Sequence, residues 1–363
     1  MSRPLAIAFL ACNKNPARFR EDASFVYRCE NLAAALAKQG HKVLCEHFTR
    51  FDWASSPDLV VFHRPQLTPR LWLLMSWLRQ REVRLVADVD DLIFDPAMAH
   101  LSPAVLSGRA EPAAIERRFK RHRQALQRFA YITASTEPLR DELLALPGLA
   151  QRAHVQVVPN AVHHSWSALG RQLHEDEGGP AALIRYLPGT RSHDRDFAQI
   201  AAPLAAVLRE RPGLRLEIVG PLDGELALPP HQVTRHEKLP FDRYHQAVRG
   251  ARVNLAPLED TRFTRCKSAL KVIEAGFWNV PTVCSPLPDA RRLAHAGAFA
   301  ASTAAEWRHW LTRLLDDDGF HAQQATGLRA RVMAHANVHS VAADWLQGVM
   351  QAPRQPASAA LRA

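Results

Sequence analysis

The sequence predicts an α/β protein built on two parallel sheets, and three observations carry that prediction. Short apolar runs rich in β-forming residues alternate with amphipathic stretches along the chain, the pattern of parallel strands covered by helices. The alternation is interrupted by the polar stretch HEDEGGP at residues 174–180, which has the charge, glycine and proline content of a linker, and then it restarts. At 363 residues the chain exceeds one small domain, and each half is long enough to bury its own core.

In the first half, LAIAFLA, KVLCEHF, DLVVFH, VRLVADV, YITAS and VQVVPN read as strands, and FVYRCENLAAALAKQG reads as a helix closed by Gly40. In the second half, ALIRYLP, LRLEIVG, RVNLAPL and VPTVCS read as strands, and SALKVIEAGFW as the helix before the last of them. Each half is therefore expected to be a Rossmann-like unit, with a ligand cleft between the carboxyl ends of the two sheets. The expected division is residues 1–172, residues 180–335, a final helix over 336–350 and a loose tail over 351–363.

The hydrophobic fraction of 47% and charged fraction of 23% are those of an ordinary globular protein. Five cysteines without a CxxC pair indicate neither a disulfide framework nor a zinc knuckle, and a reducing cytoplasm suits them. The first residues read as a buried strand instead of a signal peptide. The apolar run LWLLMSWL stops at Arg79, too short to span a bilayer. The net charge of +10 favours anionic partners. Its densest cluster, Arg117, Arg118, Lys120, Arg121, Arg123 and Arg128, surrounds Ile115, Phe119, Leu126 and Phe129 at helical spacing. That helix is expected to present a solvated basic face, or one that meets an anionic membrane or a phospholipid-linked acceptor. No helix-turn-helix, zinc finger or RNP motif supports nucleic-acid binding, and none is expected.

No GxGxxG follows the first strand and no GxxxxGK[ST] occurs, so dinucleotide and P-loop chemistry lack their phosphate cradle. The informative segment is LEDTRFTRCKSALKVIEAGFWNVPTVCSP. Lys267, Lys271 and Glu274 are four and three apart, one face of a helix if that helix begins near Thr264. Its N-terminus, with Lys267 and Ser268 in the first turn, would suit a diphosphate, and Glu274 a ribose diol. The same spacing also suits an intrahelical ion pair between Lys271 and Glu274.

This segment resembles the retaining glycosyltransferases of family four, whose GT-B fold sets two Rossmann-like domains face to face across a cleft. Their Glu-x7-Glu motif precedes a Pro-Val strand, and the second glutamate matches Glu274 ahead of VPTV, which implies a contact with the donor ribose. The first glutamate is replaced by Cys266, with Lys267 or Glu259 as candidate substitutes for its contact with the transferred sugar. YLPGTRSHDRDF resembles the family's phosphate-clamping loop: Gly189 matches its glycine, Thr190 stands for its arginine, and Arg195 for its lysine. The resemblance implies a metal-independent enzyme with no cofactor beyond its donor, a UDP- or GDP-linked sugar. The expected acceptor is a hydroxyl of a bacterial surface glycan or lipid-linked intermediate, the stereochemistry is retaining, and the place is the cytoplasm, extending to the inner membrane face.

DVDDLIFD gathers Asp88, Asp90, Asp91 and Asp95 after an apolar strand, and carboxylates so placed are costly unless they serve something. Asp90 and Asp91 are expected to orient acceptor hydroxyls. Helix capping by either, and a metal-binding DxD site, are the alternatives. His63, ending VVFH, is a further catalytic candidate, and Asn160 in VVPNAV also reads as cleft-facing. The rival functional class is a non-catalytic nucleotide-sugar or glycan-binding subunit, in which loss of the first glutamate marks loss of turnover.

Overall fold

The computed structural model describes residues 3–12, 15–172, 182–189, 193–223 and 227–353. The first sheet contains β1 (Ala6–Ala11), β2 (Lys42–His47), β3 (Leu59–His63), β4 (Arg84–Val89), β5 (Tyr131–Ala134) and β6 (His154–Val157) in the order β2-β1-β3-β4-β5-β6. The second contains β7 (Leu183–Tyr186), β8 (Arg215–Val219), β9 (Val233–His236), β10 (Val253–Ala256), β11 (Thr282–Cys284) and β12 (Ala298–Ala300) in the order β12-β11-β10-β7-β8-β9. Every pairing is parallel. Central strands are covered on both faces, which is why β1, β3 and β4 read as nearly unbroken apolar runs.

The helices that matter to the site are, in chain order, α1 (Asn31–Lys38), α2 (Pro69–Gln80), α3 (Pro112–Leu126), α4 (His164–Gln172), α5 (Asp194–Arg209), α6 (Phe241–Val248), α7 (Arg262–Arg265), α8 (Leu270–Phe277), α9 (Leu328–Ala336) and α10 (Val338–Gln351). A short helical turn and a π-helical segment, Val26–Glu30, lead into α1. Gly40, at φ +91°, ends it. LWLLMSWL lies in α2, begun by the Thr68 cap and burying Leu71, Leu74, Met75 and Leu78. α3 buries Ile115, Phe119 and Leu126 and leaves Arg117, Arg118, Lys120 and Arg121 exposed. Among the described residues, no helix is long and apolar enough to cross a membrane.

The stretch expected to be the linker, residues 174–180, lies outside the described residues. The chain passes from one core to the other before it: Ala161 packs in the first core, Val162 and Trp166 of the following α4 in the second. It returns between α9 and α10, since Ala336 belongs to the second core and Val338, Ala342 and Trp345 to the first. The two crossings are joined, Val162 N donating to Ala336 O at 2.9 Å. Strand order reverses beside β1 in the first sheet and between β7 and β10 in the second, and the chain leaves a crevice at such points.

Candidate active site

The crevice between the lobes is a cavity of about 1060 Å³, lined from the first lobe by Ser24, Tyr27, Asp90, Asp91 and Asn160 and from the second by Gly189, Lys267, Ser268, Lys271 and Glu274, among others. Its acidic edge begins where β4 ends. Asp88 is buried and accepts from Arg28 Nη2 at 2.6 Å, Thr133 Oγ1 at 2.7 Å and His63 Nδ1 at 2.8 Å. Burial alone would raise its pKa, but Arg28 and His63 overcome that and bring it to about 2. Asp88 is thus part of the wall behind the cleft. Asp95 caps the short 3-10 turn that follows, accepting from Ala97 N at 3.1 Å, so the capping role expected of Asp90 or Asp91 falls to it.

Asp90 and Asp91 face the cleft, held by Arg64: its Nε donates to Asp90 at 2.5 Å and its Nη2 to Asp91 at 3.1 Å. Arg64 sits at φ +49°, a left-handed backbone that costs a non-glycine residue about 1–2 kcal/mol. Against burial, Arg64, His63 and the Ser24 hydroxyl hold the Asp90 carboxyl well below the usual carboxylate range. His63 itself does not reach the cleft. It is fully buried behind Ser24, whose Oγ lies 2.9 Å from Nε2, so the expected direct contact between His63 and substrate is corrected. Cys29, His63 and Asp88 bring three metal-ligand atoms within 4.8 Å of one another. Arg28 already neutralises Asp88 there, and burial pushes the Cys29 thiol well up, so this donor set suits a structural core better than a cation.

The expected helix from Thr264 through Glu274 is interrupted. Thr261 caps α7 with a capping box, α7 ends at Arg265, and α8 begins only at Leu270. Long-range docking makes the break. Phe263 and Cys266 are buried in the first lobe's core, Thr136 Oγ1 donates to Cys266 O at 2.8 Å, and Asn160 Nδ2 donates to Ser268 Oγ at 2.8 Å. Lys267 and Ser268 therefore lie in the connection, not in a helical first turn. Lys267 Nζ points to Asp91, 3.0 Å away. Cys266, where the resembled family has its first glutamate, turns its thiol into protein, where burial pushes it up to about 12.

On α8, Lys271 and Glu274 share a face of the cleft without a direct ion pair. Lys271 Nζ donates to Leu187 O, and burial lowers its pKa against the pull of Glu274. Glu274, 4% exposed, accepts from Tyr27 at 2.5 Å and from Tyr244 at 3.1 Å. Burial raises its pKa, opposed by Lys271 and both tyrosines. Gly189, at φ +65°, carries the loop after β7 past Lys271, whose Nζ would lie 3.9 Å from a side chain there. Thr190 lies outside the described residues. Arg195 is not in this cleft: it lines a smaller hollow of about 190 Å³ and pairs with Glu259, its Nη2 at 2.9 Å. The expected diphosphate clamp by Arg195 is corrected accordingly, and Glu259, so engaged, is also absent from the main cavity lining.

Residues 198–347 match the family model described as glycosyl transferase-like. No curated protein sequence matches the chain. Among solved structures, sucrose-phosphate synthase from Thermosynechococcus elongatus has 14% identity and a TM-score of 0.58, covering 96% of this chain and 98% of that one. HepE from Anabaena, in complex with UDP, has 13% identity and a TM-score of 0.61, covering 96% and 100%. An alpha-glucosyltransferase in complex with UDP-glucose and DNA has 10% identity and a TM-score of 0.66, covering 96% and 100%. The chain has the fold of these GT-B glycosyltransferases, and its residues 198–347 are glycosyl transferase-like.

Two features of the cleft escaped the sequence. One is Ser24, which no motif marks. The other is an aromatic rim in which Phe241 of α6 lies 5.5 Å from Tyr27 and 4.8 Å from His163, ring centre to ring centre. Burial drives the His163 pKa down to about 3, leaving a neutral, flat side chain there.

Proposed function

We propose that this GT-B enzyme takes a sugar from a nucleoside diphosphate donor held by its second lobe and transfers it to a hydroxyl held by its first. The observation that carries this reading is the convergence of Lys267, Lys271 and Glu274 on one cavity whose opposite wall is Asp90 and Asp91. Lys267 and Lys271 would meet the diphosphate, and their charge would stabilise it as a leaving group without proton transfer. Glu274 would bind the ribose diol, exchanging at least one tyrosine hydroxyl for sugar hydroxyls of similar chemistry. Asp90 and Asp91 would accept from the incoming hydroxyl. UDP is the favoured nucleotide, because HepE and the alpha-glucosyltransferase hold UDP or UDP-glucose on the same fold.

Retention of configuration follows from the family-four resemblance, as does a glycan or lipid-linked acceptor. The exposed arginines of α3 support a phosphorylated or membrane-held acceptor. A thermal-shift panel of UDP- and GDP-sugars, with and without EDTA, tests the reading. The expected result is stabilisation by one donor class that chelator leaves unchanged; no stabilisation by any nucleotide contradicts it.

A further inference from the structure

Ser24 joins a fully buried group to one that faces the cleft. Its hydroxyl has one proton and lies 2.5 Å from Asp90 Oδ2 and 2.9 Å from His63 Nε2. Asp90 is held ionised by Arg64 and can only accept, so the Ser24 proton goes to Asp90 and the serine oxygen accepts from His63 Nε2–H. On the other side of the ring, Nδ1 lies 2.8 Å from Asp88, which Arg28 holds ionised. Both ring nitrogens of His63 are thereby engaged, one by the Ser24 hydroxyl and one by Asp88, which fixes the ring in place. The result is a continuous polar chain from Arg28 through Asp88, His63, Ser24 and Asp90 to Arg64.

We propose that Ser24 is a positioning residue for glycosyl transfer, acting through Asp90. Arg64 fixes Asp90 Oδ1 and Ser24 fixes Oδ2, so the carboxylate cannot swing and its remaining lone pairs keep one orientation for the incoming hydroxyl. Ser24 itself is held from behind by His63, the last residue of β3, which is in register with Asp88 of β4. The rigidity of the first sheet is thus passed to the acceptor side by one hydroxyl. No nucleophilic role follows, because the serine proton is already committed to Asp90 and both His63 ring nitrogens are engaged.

This inference rests on the donor–acceptor reading above, and the test separates the two. Donor dissociation constants and nucleoside diphosphate release are measured with UDP-glucose, UDP-N-acetylglucosamine, UDP-galactose and GDP-mannose for the wild-type chain, Ser24→Ala, Asp90→Asn and the double variant. Ser24→Ala is expected to keep donor affinity within about twofold while turnover falls by about tenfold or more. The double variant is expected to turn over no more slowly than Asp90→Asn alone, since Ser24 acts through that carboxylate. Wild-type turnover with unchanged turnover in Ser24→Ala overturns the role of Ser24 and leaves the transfer reading intact. So does additivity of the two losses, or a loss in Ser24→Ala that only parallels donor affinity or melting temperature. Absence of both donor binding and turnover in the wild-type chain overturns the transfer reading and this inference with it.

Discussion

Tyr27 of the first lobe donates to Glu274 of the second across the cleft, at 2.5 Å, so the carboxylate best placed for a ribose is tied to the opposite lobe. Tyr244 holds its other oxygen. A nucleotide taking the proposed place on Glu274 would bind by exchange, which would couple donor entry to the contact between lobes. The expected outcome for Tyr27→Phe is UDP affinity equal to wild type or tighter by up to about tenfold, the worth of one hydrogen bond no longer displaced. Isothermal titration with UDP checks this, and a weaker complex would mean that Tyr27 also holds the nucleotide.

Lys267 and Arg195 both line the smaller hollow, but only Lys267 also lines the main cavity. Lys267 lines the cavity, and Lys267→Ala is expected to weaken UDP binding about tenfold, with a shallower salt dependence than wild type. Arg195, tied to Glu259 outside that cavity, is expected to leave UDP affinity within about twofold when replaced by alanine. Titrations at two salt concentrations distinguish the variants, and equal losses in both would place the diphosphate in the smaller hollow.

Acid stability is expected to fall early because burial holds several histidines below their ordinary range, most strongly His122 and His163. Burial, opposed by the Pro65 carbonyl that accepts from Nδ1, brings His122 to about 3, and burial brings His163 to about 3 as well. A folded-state pKa below the unfolded value near 6.5 means the unfolded chain binds the extra protons, so the contribution is complete above that pH. It is lost as pH falls toward 3, by roughly 1.4 kcal/mol per unit for each group. Denaturant unfolding at pH 7 and pH 5 measures the loss. His122→Asn, which keeps a donor for Pro65, is expected to remove part of it.

Gly276 marks the tightest contact of α8. A Cβ there would lie 2.6 Å from Val332 Cγ2 of α9 and 3.3 Å from Ala296 O. Gly276→Ala is expected to destabilise the second lobe by about 1–3 kcal/mol, read as a lower melting temperature, despite alanine's better helix propensity.

What the sequence disclosed follows from burial. β1, β3 and β4 were legible because both their faces are covered, whereas the exposed edge strand β9 and the three-residue β12 carry no such apolar run. The spacing of Lys267, Lys271 and Glu274 imitates one continuous helix. The break between α7 and α8 comes from Phe263 and Cys266 docking in the other lobe, a contact between residues far apart in the chain. His63 and Asp90 were visible as chemistry, but the serine that joins them was not, since its meaning depends on the approach of three separate segments. Arg195 was placed by resemblance to a loop whose neighbouring residues lie outside those described here, and its pairing with Glu259 is a tertiary fact.

The most direct measurement is the titration of UDP and UDP-sugars into the wild-type chain and Glu274→Ala at matched stability. A carboxylate accepting from a ribose diol is worth about 1.5–3 kcal/mol, so the account predicts affinity at least about tenfold weaker in the variant. Equal affinity in the two proteins would contradict the nucleotide site assigned to the second lobe.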